Sequence, residues 1–173
     1  MLSDFPELNV RTYVTAGGRP GVYFFSLDAH SPVAVRMARL TFGLPYFDAT
    51  MYCRTVGDWV VYGSHRTHRG APGAEFVGRY RASGEPFDSR PGSLESFLTE
   101  RYCLYSAGVD GRGKVRRGEI QHRLWPLQPA EAQMDRLQMT DGIGLTLPDE
   151  EPVLHFSRRL DVLAWPPRAI GSS

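Results

Sequence analysis

The clearest pattern along the chain is a strand, a helix and a second strand within residues 21–51. Residues 21–28 (GVYFFSLD) and the segment from Leu44 (LPYFDATMYCR) form apolar, aromatic-rich runs that predict strands. Between them, SPVAVRMARLTFG carries apolar residues at helical spacing. We therefore expect a strand–helix–strand unit at the centre of the fold.

The ends of this helix are marked by local chemistry. Ser31 is a natural N-cap, Pro32 suits the first helical position, and Gly43 marks the end. Apolar residues leave only a stripe that holds Arg36 and Arg39, which predicts a mostly buried helix. The expected role of the two arginines is a solvated or ion-paired stripe, and a ligand-facing role is the alternative.

Strict alternation near the N-terminus predicts another strand, LNVRTYVTA. One face carries Leu8, Val10, Thr12 and Val14, and the other carries Asn9, Arg11 and Tyr13. Alternation cannot tell which face meets water. Either the polar set faces solvent, or it lines the interior of a partly closed barrel.

A helix followed by a strand is expected in PFDSRPGSLESFLTERYCLY. Ser93 can cap a short helix that begins at Leu94, and a strand is expected from Arg101 to Ala107. Glu100 lies at their junction. It is either half of a structural Glu–Arg pair or a catalytic carboxylate.

Two strands near the C-terminus place polar residues on apolar faces. In VRRGEIQHRLWPL, His122 shares a face with Gly118 and Ile120, so it is a core histidine or the best candidate for a general acid or base. VLHFSRRLDVLAWP predicts a single strand with Arg158 on its inward face, where a guanidinium requires an acceptor. The segment QPAEAQMDRL between these strands is ambiguous.

Composition narrows the function classes. The chain has 173 residues and a formal charge of +1, which predicts one domain over residues 1–173 without an electrostatic footprint for nucleic acid. No signal peptide or long apolar run is visible, so we expect a cytoplasmic protein with no membrane partner. His65 and His68 form an H-x-x-H pair without further Cys or His at matching spacing, so we expect no metal and no cofactor.

Several motifs together resemble a known family. They are the segment from Asn9 to Met51, SLESFLTERYCLY, IQHRLWPLQ and HFSRRLDVLAWP. The chain resembles the YqjF-like domain of unknown function (DUF2071), a branch of the acetoacetate decarboxylase-like superfamily. The resemblance implies an α+β fold, in which a bent, mostly antiparallel sheet forms a partial β-barrel with one or two packed helices.

The resemblance also bears on the chemistry. Acetoacetate decarboxylases carry Gly-Phe-Pro-Lys-Lys-x-Ala after the equivalent helix, and the first lysine forms a Schiff base. This chain has Gly-Leu-Pro-Tyr-Phe-Asp-Ala, with Tyr46 in the place of that lysine. A phenol cannot form an imine, and the chain's one lysine, Lys114, lies at an expected hairpin turn. Schiff-base decarboxylation is therefore not expected.

YqjF-like proteins usually carry further N-terminal strands before the segment that matches FPELNVRTYV. This chain begins almost at that segment, which would leave a sheet edge unpaired. We therefore expect a homodimer or a higher homo-oligomer.

Two hypotheses about function remain. In the first, the cavity binds a small carboxylate or keto compound without forming an imine. Its catalytic candidates are Tyr46, Glu100 and His122, and its ligand-binding candidates are Asn9, Arg11, Tyr13, Arg101 and Arg158. In the second, the domain is a non-catalytic ligand carrier or an oligomeric structural protein.

Overall fold

The fold comes from a computed structural model that describes residues 5–107 and 115–170. Lys114, the chain's one lysine, lies outside the described residues. The strands are β1 (Glu7–Ala16), β2 (Arg19–Ala29), β3 (Tyr46–Val56), β4 (Trp59–Arg66), β5 (Glu75–Ala82), β6 (Cys103–Ala107), β7 (Val115–His122), β8 (Gln128–Leu137), β9 (His155–Phe156), β10 (Val162–Ala164) and β11 (Arg168–Ala169). The helices are α1 (Pro32–Phe42) and α2 (Leu94–Thr99), with a 3-10 turn at Asp141–Ile143.

The strands form one sheet in the order β10-β7-β6-β2-β3-β4-β5-β8-β9, with β1 added on β2 and β11 on β7. The pairs are antiparallel except for β2 with β3 and β2 with β6. Strands β9 and β10 lie at the two opposite ends of this order. However, only six residue steps separate the end of β9, Phe156, from the start of β10, Val162, and they can span at most about 21 Å. The sheet must therefore bend strongly. It is an open sheet rather than a closed barrel, and it confirms the α+β class.

The ends of α1 are those that the sequence predicts. The Ser31 hydroxyl accepts a hydrogen bond from the Ala34 backbone N–H at 3.3 Å, and Pro32 opens the helix. Gly43 ends the helix in the left-handed conformation, with φ of 63°, and its N–H donates to the Arg39 carbonyl.

The predicted burial of α1 is wrong. Its buried residues are Ala34 and Val35. The apolar residues Val33, Met37 and Leu40 are 69%, 50% and 80% exposed. The helix packs against the sheet through a narrow side, because periodicity identifies an apolar surface but does not say which part of it finds a partner.

A bulge between β1 and β2 decides which residues share a face. Val10 pairs with Ser26 and Arg11 pairs with Phe24, so Phe25 is an extra residue in β2. Within β1, Asn9 and Arg11 share a face because they are two residues apart, and the bulge places Leu27 and Phe24 opposite them. The polar set Asn9, Arg11 and Tyr13 keeps one face, and that face adjoins the apolar cluster of Val22, Leu27, Leu44 and Leu104.

A second core contains a buried ion pair. Ala49, Met51 and Tyr62 form an apolar cluster. Nearby, Nη2 of Arg66 lies 2.7 Å from Oδ1 of Asp28, and the two side chains are 5% and 0% exposed. This pair joins β2 to β4 across β3.

The C-terminal segment corrects one sequence prediction. Residues 153–166 are not a single strand: β9 pairs with β8 and β10 pairs with β7, at opposite ends of the sheet. Arg158 lies in the bend between them and is exposed, so it does not face inward. The ambiguous segment before them is the strand β8. Within the described residues, no helix is long and apolar enough to cross a membrane.

Candidate functional site

A phenol and a carboxyl group meet at the start of β3. Tyr46, the first residue of β3, donates a hydrogen bond from its phenol to Oε2 of Glu7, the first residue of β1, at 2.7 Å. Both residues are half-buried, and Tyr46 packs against the cluster around Val22 and Leu27. A proton donor and an acceptor are therefore held together where the polar face of β1 reaches β3.

Burial sets the proton affinity of both groups. Desolvation raises the pKa of Glu7, and the hydrogen bond from Tyr46, together with a smaller effect of the neighbouring Asn9 side chain, opposes that rise. Burial also raises the pKa of Tyr46, and the neighbouring Glu7 charge adds to the effect. Tyr46 therefore stays a neutral donor at physiological pH, and Glu7 holds a proton more readily than an exposed carboxylate.

The sequence pattern does not single out Glu7, although Asn9, two residues further along the same strand, is among the predicted ligand-binding residues. The alternating polar face of β1 extends one step further, from Asn9 back to Glu7. That extension was the available signal. Nothing in the sequence pairs a residue with another that lies 39 positions away.

The other polar residues of β1 contact α2. The Tyr13 phenol donates to the Leu98 carbonyl at 3.1 Å. Arg11 Nη2 donates to the same carbonyl at 3.3 Å and lies 3.4 Å from the Tyr13 phenol oxygen. These contacts satisfy the Leu98 carbonyl near the end of a short helix, and they join β1 to the region around Glu100 and Arg101.

Arg101 lies against two aromatic rings. Its Cζ atom is 4.4 Å from the Phe97 ring centroid and 5.5 Å from that of Tyr13. Its Nη1 donates to the Glu100 carbonyl at 3.1 Å. Its Nε is buried and has no hydrogen-bond partner among residues 5–107 and 115–170.

Glu100 and His122 are held by protein groups. The Tyr102 phenol donates to the Glu100 carboxylate, which raises the pKa of Tyr102 to about 12. The His122 ring stacks on Tyr102 at 4.7 Å. Its Nδ1 lies 2.8 Å from the Arg123 carbonyl and its Nε2 lies 3.3 Å from that of Arg101. Both ring nitrogens thus face backbone oxygens.

The structure divides the candidates into two neighbouring groups. One contains Glu7, Asn9 and Tyr46. The other gathers around α2 and contains Arg11, Tyr13, Glu100, Arg101 and His122. Exposed Arg158 belongs to neither group. Tyr13 and Tyr46 both pack against the same apolar cluster, so the two groups flank one part of the core.

The two histidines of the H-x-x-H pair have different surroundings. In the part of the chain that the structure describes, no group of three or more His, Cys, Asp or Glu residues gathers to hold an ion. His65 is exposed, and His68 Nδ1 lies 3.0 Å from Oδ2 of Asp48. His68 therefore pairs with a carboxylate of β3.

Solved structures show the same fold. The chain aligns with the acetoacetate decarboxylase of Legionella pneumophila subsp. pneumophila str. Philadelphia 1 at a TM-score of 0.57 and 14% identity, covering 97% of this chain and 67% of that one. A second acetoacetate decarboxylase structure aligns at a TM-score of 0.61 and 12% identity, covering 96% of this chain and 68% of that one. These similarities establish an acetoacetate decarboxylase-like fold.

Sequence comparison identifies the family. The family model of DUF2071, described as an uncharacterized conserved protein, matches residues 1–161. The chain is also 46% identical over 164 residues to "Uncharacterized protein YqjF" of Bacillus subtilis (strain 168). That match covers 95% of this chain and 66% of YqjF, so the chain spans about two thirds of its relative. The protein therefore belongs to the DUF2071 family.

Proposed function

We propose that this domain binds a small carboxylate or keto compound beside the Glu7–Tyr46 pair and acts on it without forming an imine. The observation that carries the proposal is the 2.7 Å hydrogen bond between a half-buried phenol and a half-buried carboxyl group. Tyr46 occupies the position that holds the reactive lysine in acetoacetate decarboxylases, by the resemblance of the surrounding motif. The fold shared with those enzymes supports a keto acid as the ligand class.

The pair suits proton transfer next to a carbonyl group. Ionised Glu7 would take a proton from the carbon adjacent to the carbonyl, and the C–H electron pair would become the C=C bond of an enolate. The negative charge would then reside on the carbonyl oxygen, to which the Tyr46 phenol can redirect its hydrogen bond. In the neighbouring group around α2, Arg101 has a buried Nε without a described partner, which a carboxylate of the ligand would satisfy.

Hydrogen exchange tests this chemistry. Pyruvate is incubated with the protein in D₂O, and the loss of its methyl proton signal is followed by NMR against a buffer blank. We expect exchange above the blank, its loss in Glu7→Gln and its reduction in Tyr46→Phe. Tyr52→Phe is the matched control, because Tyr52 lies on the same strand but is 45% exposed. No binding and no exchange by the wild-type protein would refute the proposal.

Borohydride trapping tests the absence of an imine separately. The protein is reduced in the presence of acetoacetate, and its intact mass is measured. We expect no adduct, since the phenol of Tyr46 cannot form an imine and Lys114 is expected at a hairpin turn. An adduct at Lys114 would show that Schiff-base chemistry persists.

The alternative is a non-catalytic carrier or an oligomeric structural domain. Strand β1 pairs with β2 and has no second strand partner among residues 5–107 and 115–170, which supports pairing with another copy. Saturable pyruvate binding without exchange would favour the carrier. A solution mass of one chain, measured by light scattering, would contradict the oligomer.

A further inference from the structure

A cleft opens where two strands separate from β2. Strand β6 pairs with β2 at Val22 and Tyr23, whereas β3 pairs with it at 27–29. The two strands therefore diverge between Tyr23 and Leu27. A cleft of about 170 Å³ lies at this point, near the C-terminal end of α1, and its lining includes Tyr23, Phe24, Arg39, Gly43, Phe47 and Ser106.

Arg39 supplies positive charge to this cleft. Its Nη1 donates to the Tyr46 carbonyl at 2.6 Å, and its Cζ lies 5.9 Å from the Phe47 ring centroid. These contacts fix the guanidinium and leave further N–H groups for another acceptor. Arg39 forms no ion pair with a carboxylate in residues 5–107 and 115–170, and the lining contains no acidic residue.

A second guanidinium and a hydroxyl lie beside Gly43. A Cβ atom at Gly43 would be 3.6 Å from Arg116 Nη1 and 3.7 Å from Ser106 Oγ. The other end of the Arg116 fork, Nη2, donates to the Pro167 carbonyl at 3.0 Å and is thereby held in place. The Ser106 hydroxyl donates to the Phe42 carbonyl at 3.2 Å, and its oxygen can still accept.

We propose that this cleft binds a small monocarboxylate, with the Arg39 guanidinium as its main contact and with Arg116, which lies beside Gly43 but does not line the cleft, as a second cation. The volume corresponds to roughly five or six water molecules at about 30 Å³ each, which suits a compound the size of acetate or pyruvate. The end of α1 contributes a partial negative charge of about one half, which two full guanidinium charges exceed. A planar carboxylate also matches the fork of a guanidinium.

The site differs from the Glu7–Tyr46 pair. None of Glu7, Asn9 or Tyr46 lines the cleft, although Pro45 and Phe47 on either side of Tyr46 do. Successive side chains of a strand point to opposite faces of the sheet, so the side chains of Tyr46 and Phe47 lie on different faces. The cleft is therefore a second site on the same strand, and it stands independently of the proposed function.

Calorimetric titration with acetate and pyruvate at constant ionic strength tests the cleft. We expect saturable binding that Arg39→Gln weakens about tenfold or more, the loss that corresponds to one charged hydrogen bond. Arg36→Gln is the matched control, because Arg36 lies on the same helix but is exposed. We expect its affinity to stay within about twofold of wild type.

Two further measurements keep the test decisive. Ser106→Ala should weaken binding by a smaller factor than Arg39→Gln. This second variant is needed because Arg39→Gln also removes the hydrogen bond to the Tyr46 carbonyl and could disturb the fold. Equal binding by wild type and Arg39→Gln, or equal heats from chloride, would overturn the inference. Binding lost in Glu7→Gln but kept in Arg39→Gln would overturn it while leaving the proposed function intact.

Discussion

Tyr46 and Glu7 are joined by a 2.7 Å hydrogen bond between the first residues of β3 and β1. Because β2 lies between these strands, the bond ties the N-terminal edge of the sheet to the strand that follows α1. The strength of this hydrogen bond depends on whether Glu7 is protonated, and the partial burial of both residues increases that dependence. It links the candidate chemistry to a measurable property of the fold.

Tyr46→Phe should destabilise the protein in a pH-dependent way. Burial raises the pKa of Glu7 above its ordinary value of 4.5, so the stability that this group contributes is present below pH 4.5 and is lost as the pH rises through the folded pKa. Removing the Tyr46 donor raises that pKa further. The variant should therefore lose roughly 1–3 kcal/mol at pH 8 and less at pH 4.

Urea unfolding at both pH values checks this expectation. Tyr52→Phe, an exposed phenol on the same strand, should change stability by less than about 0.5 kcal/mol at either pH. A cost of Tyr46→Phe that is the same at pH 4 and pH 8 would contradict the coupling to Glu7.

The parts of the fold that the sequence predicted correctly depend on local chemistry. Ser31, Pro32 and Gly43 mark both ends of α1, because caps act on backbone groups within one turn. Ser93 marks the N-terminal end of α2 in the same way. Strands with strict alternation, such as β1, were also predictable from side-chain periodicity.

The parts that were missed depend on tertiary partners. Residues 153–166 have the pattern of one strand, but their two halves meet different edges of the bent sheet. Glu7 gains its importance from Tyr46, and the cleft at Arg39 exists because β3 and β6 diverge. Pairing between distant strands leaves no periodic trace in the sequence.

The two sides of α1 should differ sharply in their contribution to stability. Val35 is 1% exposed and Leu40 is 80% exposed. Val35→Ala should lower the free energy of unfolding by about 1–2 kcal/mol, since two buried methyl groups are removed. Leu40→Gln should change it by less than about 0.5 kcal/mol. Chemical denaturation measures both, and a larger loss in Leu40→Gln would show that this apolar stripe is covered in solution.

The contact between Tyr102 and Glu100 should appear in a tyrosine titration. The hydrogen bond to Glu100, with a smaller effect of burial, raises the pKa of Tyr102 from 10.0 to about 12. Glu100→Ala removes the acceptor and its negative charge, so the phenol should lose its proton at lower pH. NMR of tyrosine labelled with ¹³C follows the titration, and Tyr102→Phe identifies the signal. Identical Tyr102 curves in wild type and Glu100→Ala would refute this effect.

The buried pair of Arg66 and Asp28 should matter far more than an exposed pair of the same type. Arg66→Gln leaves the Asp28 carboxylate, which is 0% exposed, without its guanidinium, and should cost roughly 3–5 kcal/mol. In the exposed pair, the side chains of Arg159 and Asp161 are 76% and 74% exposed. Arg159→Gln breaks that pair and should cost less than about 1 kcal/mol. Urea unfolding at neutral pH compares the two variants. Equal losses would show that solvent reaches the Asp28 carboxylate, and the packing between β2 and β4 would then not depend on this pair.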